Sequence, residues 1–174
     1  MRIIVTGSRD WDDTQAVAAV LGEVDYWYGP DVTLVHGAQG GLRRRRGVLV
    51  PVGLDYLAAR EAERYGWAVE PHPADWYGPC RPACPPGHRR RSARGDYCPS
   101  AGPYRNWEMA EAGADLCLAW PGGRGTRGME AAARRHGIPV VRVRPGEPLR
   151  LPGTDRPGPR RLRLRQTSPK LGDL

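Results

Sequence analysis

Two sets of residues have the types and spacing to do chemistry. In the first, Cys80, Cys84, His88 and Cys98 form a C-x3-C-x3-H-x9-C pattern punctuated by Pro and Gly. Three thiolates and one imidazole suit tetrahedral zinc, and a segment with almost no apolar residues needs some staple to become ordered. With its four ligand positions filled, such a site is closed and structural. The spacing differs from the paired C-x2-C patterns, so a basic loop with free thiols, or one reversible disulfide, stands as the alternative. Cys117 lies inside an apolar run and is expected in the core.

The second set is Pro121-Gly122-Gly123-Arg124-Gly125-Thr126, between an apolar run (Leu116 to Trp120) and an alanine-rich helical segment. Strand, glycine loop and helix start together make an anion site, because the first turn of a helix carries unpartnered N–H groups and a favourable dipole. Glycines let the backbone come close to a phosphate. Thr126 can cap the helix and also offer a hydroxyl. The alternative is a plain β–α turn.

These loops need elements to position them. Arg2–Thr6 is a β-branched run that ends in Gly7, Ser8 and Arg9, and Val32–His36 is a second one that ends in Gly37. Asp12 or Asp13 can cap a helix with Val17, Val20, Leu21 and Val24 at helical spacing. Leu54–Tyr65 reads as a second helix, Trp67–Glu70 as a weaker strand, Tyr104–Ala112 as a third helix, and Thr126–His136 as a fourth. Ile138–Val143 is the last strand. Strands alternating with helices imply an α/β, Rossmann-like, doubly wound parallel sheet of about five strands with flanking helices, whose ligands sit at the carboxyl ends of the strands. Ser8 and Arg9 can present a hydroxyl and a guanidinium there. His36 can meet a base or sugar, or be a hydrogen-bonded structural histidine. Arg105 and Asn106 open the third helix, where a cation opposes the dipole unless an anion sits nearby.

The net charge of +8 and pI near 9.8 come almost entirely from Arg, which fits phosphate recognition and also nucleic acid through the Arg clusters. The start lacks the apolar stretch of a signal peptide and no run approaches membrane-spanning length, so a soluble, cytoplasmic protein without a membrane partner is expected. Residues 145–174 form a basic Pro-, Gly- and Arg-rich tail, expected to be disordered or loosely packed, with Arg160 to Arg165 able to pair as an edge strand or touch nucleic acid.

With TGSRDW, VHGAQGG, LDYLAA, HPADW, YRNWEMAEAGADLCLAW and PGGRGT, residues 1–144 resemble the SLOG superfamily, and within it the YspA-related group of small Rossmann-like proteins. The resemblance implies a pocket for a nucleotide or nucleotide-derived ligand, a homo-oligomer, and a sensing role in nucleotide signalling or phage conflict. It places the ligand on Gly7, Ser8, Arg9, His36, Gly37, Asp55, Arg105, Asn106, Pro121, Gly122, Gly123, Gly125 and Thr126. The superfamily also contains the LOG phosphoribohydrolases, whose motif is PGGxGTxxE. Here Met129 stands at the glutamate position and Glu130 comes one residue late, about 100° round the helix. That departure weakens the hydrolase route, in which a carboxylate stabilises a cationic sugar. It leaves phosphate binding intact. Two segments depart from the pattern: an insertion at about 42–54, expected as a solvent loop or as added phosphate-binding charge, and the Cys/His loop at about 77–102.

Three readings follow. The first is binding of a nucleotide-derived ligand. The second is a LOG-like nucleoside monophosphate phosphoribohydrolase that uses Asp55, Glu108 or Glu130 as its carboxylate. The third is a nucleic-acid-binding accessory protein.

Overall fold

From Ile3 to Thr6 every residue of the first strand is buried, because it is the middle strand of the sheet and has a neighbour on each side. The structure is a computed structural model that describes residues 1–152 and 154. The elements are β1 (Arg2–Thr6), α1 (Thr14–Tyr28), β2 (Thr33–His36), β3 (Gly41–Arg45), β4 (Val48–Val52), α2 (Leu54–Arg64), β5 (Ala68–Pro71), β6 (Arg90–Ser92), β7 (Gly95–Tyr97), α3 (Ala101–Glu111), β8 (Leu116–Ala119), α4 (Arg124–Arg135) and β9 (Val140–Arg142). Five strands pair in the order β5-β2-β1-β8-β9, all parallel, as the Rossmann-like reading requires. Between β1 and β8 the winding reverses, and at such a switch point the strand-exit loops splay apart to leave a crevice.

Period-two alternation divides the core between the two faces of the sheet. Ile3, Val5, Leu34, Leu116 and Leu118 pack with Val17, Leu21 and Val24 of α1 and with Leu57 and Ala58 of α2. Ile4, Val35 and Cys117 pack on the other face with Met109 and Ala110 of α3 and with Met129 and Ala133 of α4. Full burial of each large aliphatic side chain is worth roughly 1.5–3 kcal/mol. Asp13 caps α1 by accepting from the Ala16 N–H.

Several expectations need correction. The insertion, expected as a loop, is an antiparallel hairpin, β3–β4, whose residues 42–49 are exposed to solvent. Its two-residue turn has positive φ at both Arg46 (48°) and Gly47 (83°), the geometry that matches the twist of paired strands. A second, smaller hairpin, β6–β7, forms within the Cys/His segment. α3 begins at Ala101, so Arg105 stands in its second turn and does not oppose the dipole at its start. The N-cap of α4 is Gly123, so Thr126 lies inside the first turn and is not the cap. The start of the tail is packed: Leu151 is buried in the α1/α2 core, the Leu149 N–H donates to Glu23, and the Tyr28 hydroxyl donates to the Pro152 carbonyl. The 160–165 run lies outside the described residues. Among the described residues, no helix is long and apolar enough to cross a membrane.

Candidate functional site

The exit loops of β1 and β8 meet at the switch point. The Ser8 N–H donates to the Pro121 carbonyl (3.2 Å), and the Trp120 N–H to that of Thr6 (2.8 Å). Ser8 also organises its own loop. Its carbonyl accepts from Leu54, at the start of α2, and its Oγ accepts from Asp10. Gly7 faces Leu54 and Trp120 where a Cβ would collide, and a Cβ on Gly122 would overlap Thr126 Oγ1. The sequence is glycine there because two loops and a hydroxyl occupy the space of a side chain.

No side chain caps α4, and Thr126 Oγ1 is fully buried without a hydrogen-bond partner among the described residues. An unsatisfied buried hydroxyl costs about 1–3 kcal/mol. Beside it, Gly123 and Gly125 open to free space. The helix start thus lacks a side-chain cap and has an unpartnered hydroxyl beside it.

A second cluster adjoins the β8–α4 loop through Asn106, whose Nδ2 donates to the Gly125 carbonyl (3.2 Å) and whose Oδ1 accepts from Arg105 Nε (3.0 Å). Arg105 Nη1 donates in turn to the carbonyls of Gly37 and His72. Gly37 has no room for a side chain because the guanidinium lies against it. Asp55 is buried and accepts from the Gln39 N–H (3.1 Å). Burial raises its carboxyl to about 6, against the opposing pull of the Gln39 and Gly37 amides and the Arg105 charge. His36 is lowered to about 4, first by burial and then by the nearby Arg105 and His72, and its Nδ1 accepts from the Ala38 N–H. It is therefore neutral at physiological pH. Burial also lowers Arg105, with Asp55 acting against it.

The structure thus connects Gly37, Asp55, Arg105 and Asn106 to Gly125, and joins Gly7, Ser8, Pro121, Gly122 and Thr126 at the switch point. Arg9 is exposed beside this loop. Two carboxylate candidates lie elsewhere. Glu108 faces outward and pairs with Arg81. Glu130 is buried against Arg134 and Arg142 (both 2.8 Å); burial opposes its ionised form, but the two guanidinium groups outweigh that and hold it below the usual range. Met129, at the hydrolase glutamate position, is fully buried in the α3/α4 core. Sequence reasoning missed Gln39 and His72. The second directly follows Pro71, the last residue of β5, and that place at a strand exit was the available signal. Its Nε2 lies 2.6 Å from Glu70 Oε1, and Glu70 also pairs with Arg2, which with His72 lowers its carboxyl to about 2.

The four predicted metal ligands converge as a set. Their donor atoms all lie within 4.8 Å of one another, with Cys84 Sγ–Cys98 Sγ at 3.8 Å, Cys80 Sγ–His88 Nε2 at 3.5 Å and His88 Nε2–Cys98 Sγ at 3.1 Å. Tetrahedral zinc with bonds of about 2.3 Å to sulfur and about 2.0 Å to nitrogen requires edges of roughly 3.5–3.8 Å, so the set could hold a metal. His88 Nδ1 lies 2.6 Å from the Pro85 carbonyl, which fixes the tautomer that leaves the Nε2 lone pair facing the sulfurs.

The sequence profile of the YspA, cpYpsA-related SLOG family matches residues 1–44. The gene 61 protein of Mycobacterium phage D29 is 35% identical over 147 residues, which span 80% of this chain and 94% of that protein. Among solved structures, the X-ray structure of TM1055, a Northeast Structural Genomics Consortium target, covers 80% of this chain and 71% of its own at 14% identity and a TM-score of 0.49. The motifs, the parallel sheet and the phage relative agree: the chain belongs to the YspA, cpYpsA-related SLOG family.

Proposed function

We propose that this protein binds a nucleotide or nucleotide-derived ligand at the carboxyl edge of its sheet, as a sensor in nucleotide signalling or phage conflict. The ligand phosphate sits on the first turn of α4, and Asp55 accepts from a ribose hydroxyl. The observation that carries this reading is the uncapped start of α4 with the buried, unpartnered hydroxyl of Thr126 beside open glycines. Such a helix start lacks only an anion. Sensing is preferred to turnover because Met129 is core and Glu130 is committed to two arginines. The Cys/His set reads as a structural zinc site, closed by its four ligands and without a role in chemistry.

Calorimetric titration with AMP, ADP-ribose and cyclic nucleotides tests this. At least one should bind saturably, and Gly123→Asp should abolish that binding. A Cβ at Gly123 meets nothing within 4 Å, so the variant folds, and its carboxylate caps α4 where the phosphate would sit. If no nucleotide binds, or if the variant binds as tightly as wild type, the reading is wrong.

One observation favours a second reading. A carboxyl group raised to about 6 is suited to general acid–base work, which would make Asp55 the active carboxylate of a nucleoside monophosphate phosphoribohydrolase. Release of ribose 5-phosphate that disappears in Asp55→Asn would select it.

A further inference from the structure

α3 is held in two different ways along its length. Its second half, with Met109 and Ala110, is buried on the sheet. Its first half carries Arg105 and Asn106 and rests largely on the Cys/His segment. Gly102 lies under the Trp76 ring, with a would-be Cβ 2.7 Å from Cη2. Tyr104 Oη lies 3.6 Å from Cys84 Sγ, with the Arg81 guanidinium over its ring at 4.5 Å. Arg81 also pairs with Glu108. No side chain caps α3; instead the Ala101 N–H donates to the Cys98 carbonyl, and the Cys98 N–H donates to Trp76 (2.8 Å).

The support under α3 has no core of its own. None of residues 71–97 is buried, and Cys98, the first buried residue after them, is one of the four potential ligands. Exposed ion pairs such as Arg81–Glu108 contribute at most about 1 kcal/mol. Besides the Trp76–Tyr97 ring contact and the donation of Arg89 to the carbonyls of Tyr77, Gly78 and Asp96, the segment is ordered by the convergence of three sulfurs and one imidazole, with Arg89 Nη1 3.5 Å from Cys80 Sγ.

We infer that zinc bound by Cys80, Cys84, His88 and Cys98 fixes the first two turns of α3 and thereby sets the position of Arg105 and Asn106 in the ligand site. Occupancy of a structural metal then controls affinity at a site it does not touch. The coupling runs through Cys98 into the backbone of α3 and through Cys84 to Tyr104. Arg105 and Asn106 act as positioning residues, since they shape the loops at Gly37 and Gly125. The inference rests on the zinc and nucleotide-binding readings above, and its test separates them.

The full chain, purified under a thiol reductant, is assayed for metal by atomic emission, stripped with a chelator, and reloaded with zinc. One zinc per chain is expected. On stripping, amide exchange at residues 101–106 should accelerate by at least about ten-fold, the equivalent of one lost charged hydrogen bond, and so should the dissociation constant for AMP or ADP-ribose rise. Protection in β1, β2 and β8 should stay unchanged, and added zinc should restore both losses. Tyr104→Phe, which keeps all four ligands, should retain zinc and show a smaller loss of the same kind. The inference is overturned by absence of stoichiometric zinc, by unaltered exchange at 101–106, or by unfolding of the whole sheet on stripping. It is also overturned if the stripped protein binds the nucleotide as tightly as the loaded one. Should the loaded protein bind no nucleotide, exchange alone decides the zinc clamp, and the loss falls on the proposed function.

Discussion

The two hairpins outside the main sheet solve the same problem differently. A two-stranded ribbon is marginal in water without a surface to pack on. β3–β4 has its C-terminal end built into the rim of the sheet. Val52 and Gly53 are buried, the Gly53 N–H donates to the Trp11 carbonyl (2.7 Å), and the next residues start α2. Its cross-links, Arg43–Asp10 and Arg45–Asp12, are half-exposed ion pairs. β6–β7 has no buried residue of its own and depends on the Cys/His convergence next to it. Each hairpin delivers the chain into a helix that carries one member of an interacting charge couple, buried Asp55 on α2 and half-buried Arg105 on α3. The negative member thus comes from a segment secured by burial, and the positive member from one secured by sulfur and imidazole.

The widest gap between the hairpins should appear in limited trypsin digestion, since both are rich in Arg. Chelation should speed cleavage at Arg89–Arg94 by about ten-fold or more, in line with loss of a structural metal, while cleavage at Arg43–Arg46 stays unchanged. Equal acceleration at both would erase the distinction. Next in size is a pH effect on the α2 side. With its pKa raised by burial from 3.8 to about 6, Asp55 favours the folded state at low pH, and that contribution is lost as pH rises from about 4 to about 6. The shift corresponds to roughly 3 kcal/mol. His36, lowered to about 4, acts oppositely and loses its contribution as pH falls from about 6.5 towards 4. The two are separated by melting Asp55→Asn beside wild type. The variant should gain on wild type steadily between pH 4 and pH 7, and a flat difference would mean the carboxyl is not buried as described. The smallest effect concerns the ion pairs of the first hairpin. Arg43→Ala and Arg45→Ala should each cost less than about 1 kcal/mol in denaturant unfolding, and high salt should remove even that.

How much of this was readable depended on what each segment buries. β1, β2 and β8 announced themselves as β-branched or apolar runs stopped by glycine or proline, because a buried parallel strand needs that composition. The four residues of the Cys/His set were visible by type, since few other roles gather three Cys and a His in a polar loop. β3–β4 was hidden because its run of arginines masks the alternation, and its turn uses Arg46-Gly47 in place of the usual Asn-Gly or Asp-Gly. The start of α3 was placed too late because Gly102 and Pro103 read as loop, although a first helical turn needs no N–H from proline. Thr126 has the residue type of a cap, but Gly123 holds that position. Leu149 and Leu151 have no period, so their packing on α1 had no signature to read.

The pairing of β1 with β8 also has a consequence for how the molecule comes into being. Arg2 at the start of β1 donates its N–H to Asp115, a separation of 113 residues, and β8 then runs alongside β1 as far as Ala119. Closing so long a loop is slow, and during synthesis the inner edge of β1 stays open until most of the chain has left the ribosome. The Pro121–Thr126 loop belongs to the late side of that closure. Ser8 cannot meet Pro121, nor Gly7 meet Gly122, before β8 has docked on β1. The junction of the two loops is therefore completed late in folding, and a nascent or truncated chain that has already formed α1, β2 and α2 still lacks it.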